Sequence, residues 1–85
     1  MTPELAAYTP AMRIHYDRSA DAAYIYLREI APGDATTQLP LFGKPLHDHV
    51  VLDFDRDARL IGIDVMSASR ALPEELLRDA PGPTA

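Results

Sequence analysis

The chain has 85 residues, a formal net charge of −5 and no cysteine. That length allows one domain, which buries only about 60% of the surface its unfolded chain exposes and is marginal on its own. The acidic balance argues against broad nucleic-acid binding, which needs a basic face, and the lack of cysteine excludes disulfides and thiolate metal sites.

Residues 1–11 form a lead-in, either a short helical turn or a disordered segment. Thr2-Pro3-Glu4 has the form of a helix start and Tyr8-Thr9-Pro10 the form of its end. A first strand follows over 12–16, with Met12, Ile14 and Tyr16 on one face and Arg13 and His15 on the other. Residues 17–21 are a turn. A second strand over 22–29 points Ala23, Ile25 and Leu27 inward and Tyr24, Tyr26 and Arg28 outward. Ala31-Pro32-Gly33-Asp34 is another turn, and Thr36 and Thr37 favour a short strand over 35–39. Pro40 and Pro45 keep Leu41-Phe42-Gly43-Lys44 out of any central strand. Leu41, Phe42 and Leu46 are expected either to pack back onto the sheet or to make an oligomer contact.

Residues 50–66 carry the clearest pattern. Val50, Leu52 and Phe54 alternate with Val51, Asp53 and Asp55; after a polar turn, Ile61, Ile63 and Val65 alternate with Leu60, Gly62 and Asp64. This is a hairpin with one buried face. Pro73-Glu74-Glu75-Leu76-Leu77-Arg78 then reads as a short helix, with Pro at its first position and acids in its first turn. Leu72, Leu76 and Leu77 would form its apolar patch. Ser67 and Ser69 would cap the turn into it. The expected fold is α+β: one antiparallel sheet of four or five strands built from two hairpins, a short C-terminal helix on one face, a single domain over 12–80 and a disordered tail over 81–85.

The two hairpins match each other. Without gaps, Asp17 falls on Asp55, Arg18 on Arg56, Ala20 on Ala58 and Ile25 on Ile63. Duplication explains this, and so does convergence of two similar turns on the same residue types.

Tyr16-Asp17, Asp21-Ala22-Ala23-Tyr24-Ile25-Tyr26-Leu27, Asp53-Phe54-Asp55 and Leu60-Ile61-Gly62-Ile63 resemble the small bacterial proteins catalogued as domain of unknown function 2283. The resemblance runs from about Met12 to about Leu77. It implies a β-rich fold with a C-terminal helix, no established activity, and a toxin-like neighbour that would make the role antitoxin-like. The chain departs from the family pattern at Ala58, where Gly is usual, at Asp64, where Glu is usual, and in a longer segment over 40–49. If the Ala58 position has positive φ, alanine costs about 1 kcal/mol there relative to glycine.

Three groupings bear on chemistry. Asp53, Asp55, Asp57, Ala58 and Asp64 nearly follow a calcium-loop spacing, but their flanks are strands and the loop glycine is missing. On an extended segment His47, His49, Asp53 and Asp55 share a face with His15, which makes His47, His49 and Asp53 the candidate ligands of a metal-dependent enzyme such as a hydrolase. The plainer reading is a solvent-facing polar stretch. Tyr24, Tyr26, Asp53, Asp64 and His15 share the outer face, where they line a groove or are ordinary half-exposed sheet residues; Asp53→Ala is expected to leave folding nearly unchanged.

No catalytic constellation and no cofactor motif emerges, and no apolar run approaches a membrane span. The N-terminus lacks a signal-peptide pattern. The reading is a cytoplasmic, non-enzymatic interaction module with no cofactor, which forms a homo-oligomer and binds a basic protein partner. One short helix cannot cover a four-stranded sheet, and a second subunit would complete the cover.

Overall fold

Alternation of apolar and polar residues sorts this chain onto the two faces of one sheet. The computed structural model describes residues 12–83, so the expected helical start at Thr2-Pro3-Glu4 lies outside the described residues. The elements are β1 (Arg13–Asp17), β2 (Ala22–Tyr26), β3 (Thr37–Leu41), β4 (Val50–Phe54), β5 (Leu60–Met66), α1 (Ala68–Ala71) and α2 (Glu74–Arg78). All neighbouring strands are antiparallel, in the order β1-β2-β5-β4-β3. The two hairpins therefore join within the chain, through β2 and β5.

The registers align residues into rows that cross all five strands. Ile14, Ile25, Ile63, Leu52 and Leu39 make one row. Tyr16, Ala23, Val65, Val50 and Leu41 make the next. The helices cover the second row from above: Ala23, Val65, Ala68 and Leu77 form the buried cluster, with Leu72 packed beside it. Leu76 does not join this patch as the sequence led one to expect. It is 46% exposed, because a helix of five residues turns only one of two adjacent leucines inward.

β3 corrects the sequence reading by two residues. Pairing runs over 37–41 rather than 35–39 and includes Pro40, which an edge strand accommodates because one side of its backbone has no partner strand. Phe42 does not pack back onto the sheet; it is 74% exposed and lies against the His49 ring. The stretch after β5 also holds a helical turn, α1, where a simple turn is the sequence expectation.

Aspartates fasten the turns. Asp17 Oδ1 accepts from Ser19 N, Ser19 Oγ and Ala20 N. Asp55 Oδ1 accepts from Asp57 N and Arg59 N. The two residues that align between the hairpins thus do the same work, folding their own turn back on a carboxylate. Asp21 locks the first hairpin to α1. Its backbone oxygen accepts from Ala68 N, and its carboxylate takes the Tyr16 hydroxyl, Ser69 N and Ser69 Oγ. The hydrogen bonds from Tyr16 and then Ser69 hold the Asp21 carboxyl below the usual carboxylate range. Ser67 sits at the start of α1 without capping it; its hydroxyl donates to Asp48 Oδ2 instead.

Arg18 secures the other helix. Its guanidinium donates to the carbonyls of Leu77, Arg78 and Ala80, at and just beyond the C-terminal end of α2. The chain then runs along the outer edge of β1, where Tyr16 N donates to Pro81 O at 2.7 Å. Gly82 lies so close to the Tyr16 carbonyl that a Cβ would collide with it. Residues 81–83, expected in a tail beyond the domain, thus meet the β1 edge of the sheet at Tyr16, and Pro40 interrupts the other edge.

Ala58 has φ 62°, a left-handed conformation that alanine tolerates poorly. Ala58→Gly is therefore expected to stabilise the protein by about 1 kcal/mol, read as a higher urea midpoint at unchanged slope. A lower midpoint would show that chain entropy outweighs the relief of strain.

Candidate functional site on the outer face of the sheet

The face away from the helices carries its own rows. His15, Tyr24, Asp64, Val51 and Pro40 stand in one; Arg13, Tyr26, Gly62, Asp53 and Gln38 in the other. A strand places every second residue here, which is why Tyr24, Tyr26, Asp53, Asp64 and His15 share this face as the alternation predicts.

Asp53 is the centre of this face. It is the one buried charged residue among the described residues, 6% exposed. Its Oδ2 accepts from the Tyr24 hydroxyl at 2.6 Å and its Oδ1 from the Gln38 amide at 3.1 Å. Each of its oxygens thus accepts from one neutral donor. Asp53 is thus no exposed surface acid, and the sequence expectation that Asp53→Ala is nearly silent is corrected. Alanine would leave the Tyr24 hydroxyl and the Gln38 amide without their acceptor. Tyr24 reaches Asp53 by lying over Gly62, where a Cβ would fall on the phenol ring and its hydroxyl. Burial first, and then the hydrogen bond to Asp53, push the Tyr24 hydroxyl well above its ordinary range, so it stays a donor.

Beside this network stands Asp64. Burial first, and the Asp53 charge second, raise its carboxyl above the ordinary 3.8. Folding therefore favours its protonated form. Its contribution to stability is full below the unfolded-state value and is lost as pH rises through the folded-state value. Asp64→Asn is expected to raise the thermal midpoint at pH 7, and the gain should vanish below about pH 4. A gain that persists at pH 3 would assign the effect to packing instead.

A cleft of about 420 Å³ opens on this face beside the loop after β2, with Tyr24, Tyr26, Ile30, Pro32, Ala35 and Asp53 in its lining. The two tyrosine rings meet edge to face at 4.7 Å. The Arg13 guanidinium lies 4.0 Å from the centre of the Tyr26 ring and pairs with Glu29 at 2.9 Å.

The other candidates come apart. His47 is exposed, His49 leans on Asp48 and Phe42, and Asp53 is taken up by Tyr24 and Gln38. No group of three or more His, Asp or Glu side chains able to hold a metal ion occurs among the described residues. The calcium-like spacing fails for a local reason. Asp53 points from a strand, while Asp55 turns to its own loop amides and to Arg28 at 3.6 Å. Two members of the outer-face network were not singled out in the sequence, Gln38 and Gly62. An isolated glycine within a strand pattern is the signal for Gly62, since it marks close approach of another group. Gln38 carries no such signal, because its partner is set by β3–β4 register.

A five-stranded antiparallel sheet with two short helices on one face and a polar network on the other defines a small α+β domain. The family model described as "Protein of unknown function (DUF2283)" matches residues 13–69, and the chain belongs to that family. No curated protein and no solved structure matches the chain. Within the motifs that carry the resemblance, Tyr16, Asp17, Asp21 and Asp55 hold turns and α1 in place, while Tyr24, Asp53 and Gly62 build the outer-face network. No helix among the described residues is long and apolar enough to cross a membrane.

Proposed function

We propose that the protein is a non-enzymatic interaction module that self-associates through the helix-bearing face of its sheet and binds a protein partner on the other. The observation that carries this reading is the row Ile14, Ile25, Ile63, Leu52 and Leu39. Every strand contributes an apolar residue to it, yet none of the five is buried in the single chain, and Leu39 is 47% exposed. The buried apolar residues among those described are only Ala23, Ile61, Val65, Ala68 and Leu77, a small core for an independent domain.

The occupant that fits this face is a second copy. The row Ile14, Ile25, Ile63, Leu52 and Leu39, which the helices leave uncovered, is free of charge, so a chain of net charge −5 meets itself there without opposing carboxylates. Ile63 is the middle residue of its row, on the middle strand. A two-fold axis through it lays the row on its own copy, the geometry of an isologous interface. Face stacking at about 10 Å is favoured over edge pairing, because Pro81 already takes the Tyr16 amide on one edge and Pro40 interrupts the other. Sedimentation velocity from nanomolar to micromolar protein tests this, together with a thermal midpoint that rises with concentration. A monomer throughout, with a constant midpoint, would sink the proposal. The antitoxin-like role that the resemblance implies is one form of the partner binding proposed here.

A further inference from the structure

We infer that the outer-face cleft is a seat for the guanidinium of an arginine side chain presented by a partner protein. The inference rests on the reading of the protein as an interaction module but uses the face opposite its apolar rows. Three observations carry it. The cleft is walled by the Tyr24 and Tyr26 rings, with Ile30, Pro32 and Ala35 on its loop side. That combination suits a planar cation on an apolar stem: the methylenes lie along the aliphatic groups and the guanidinium against an aromatic ring.

The second observation is charge. Asp53 lines the cleft as a buried carboxylate whose two described partners, Tyr24 and Gln38, are both neutral. The ion pairs among the described residues join Arg13 to Glu29 and Arg28 to Asp34 and Asp55, and the His49 ring contacts Asp48; none of these reaches Asp53 or its neighbour Asp64. A carboxylate has about four acceptor positions, and two donors leave room for a cation's N–H groups. The third observation is that the chain already makes this arrangement once on the same face. Arg13 lies over Tyr26 while its guanidinium pairs with Glu29. The cleft shares Tyr26 with that pair; because Arg13 already takes one face of this ring, a partner's guanidinium has Tyr24 and the uncovered side of Tyr26 as its wall and Asp53 as its carboxylate. Arginine fits better than lysine, because its flat fork stacks on the ring and keeps donors at its edge for Asp53.

The test is a nuclear magnetic resonance titration of the full chain with acetyl-Gly-Arg-Gly-amide. The control is the same peptide with citrulline, which keeps the shape and removes the charge. Saturable shifts of the Tyr24 and Tyr26 ring protons and the Asp53 and Gly62 amides are expected, with the citrulline peptide at least about tenfold weaker. Asp53→Asn and Tyr26→Leu should each weaken the arginine peptide about tenfold. Tyr26→Leu keeps the Tyr24–Asp53 pair, so it remains informative if Asp53→Asn folds poorly. Equal affinity for the citrulline peptide, shifts centred on Arg28, Asp34 and Asp55, which line a separate hollow, or no saturation by about 10 mM, a weaker limit than any useful affinity, would each overturn the inference. Sedimentation of the same samples separates the two proposals: a monomer that binds the arginine peptide loses the self-association reading and keeps this one.

Discussion

Ile63→Asp is expected to give a protein that no longer self-associates and melts at least about 10 °C lower. Ile63 stands on the central strand, directly between Ile25 and Leu52. Loss of a large apolar side chain from such a place costs about 2 kcal/mol or more, and a carboxylate set among apolar neighbours adds its own desolvation. In a domain of this size each kcal/mol moves the midpoint by roughly 4–8 °C. Ile63→Ala separates the two parts, because it removes the packing without adding a charge and should weaken association less. The measurements are a melting curve and sedimentation velocity on both variants. A stable oligomer of Ile63→Asp would mean that the row of Ile63 faces solvent in the assembly and that the contact lies elsewhere.

Gly62→Ala is expected to destabilise by about 2 kcal/mol, although alanine is intrinsically better than glycine in a strand by roughly 0.5–1 kcal/mol. The sign is set by Tyr24. Its ring occupies the place the new methyl would take, and its hydroxyl is the short donor to Asp53. The methyl must push the ring aside, which takes one donor from a buried carboxylate. The double variant Gly62→Ala with Tyr24→Leu should cost less than the sum of the two single changes, because the second change finds the bond already broken. A neutral or stabilising Gly62→Ala would show that Tyr24 reaches Asp53 by another path.

Much of this architecture is legible in the amino-acid pattern. Period-two alternation around Ile14, Ile25, Leu52 and Ile63 assigns both faces of four strands, because a pleated strand leaves no other way to bury those residues together. The turn aspartates Asp17 and Asp55 can be read from position alone, since their bonds are made within a few residues. β3 is harder. Its residues Thr37, Gln38, Leu39, Pro40 and Leu41 are all exposed, so burial does not impress a pattern on them, and its register depends on β4. Phe42 illustrates the same limit: apolar character predicts packing, yet the loop carries it away from the sheet.

The functional reading divides in the same way. That the chain is one small acidic α+β domain, with an apolar face too broad for one short helix, follows from the sequence by itself. Local periodicity and chain length determine it without reference to distant contacts. Tertiary structure alone decided that Asp53 is buried, that Tyr24 and Gln38 hold it, that His47 and His49 stand apart from it, and that Pro81 meets the β1 edge at Tyr16. Each of these depends on which strands become neighbours. Tyr24 meets Asp53 only because β5 lies between β2 and β4 and carries a glycine under the ring. A contact across three strands is set by sheet order and register, and no short stretch of sequence encodes either.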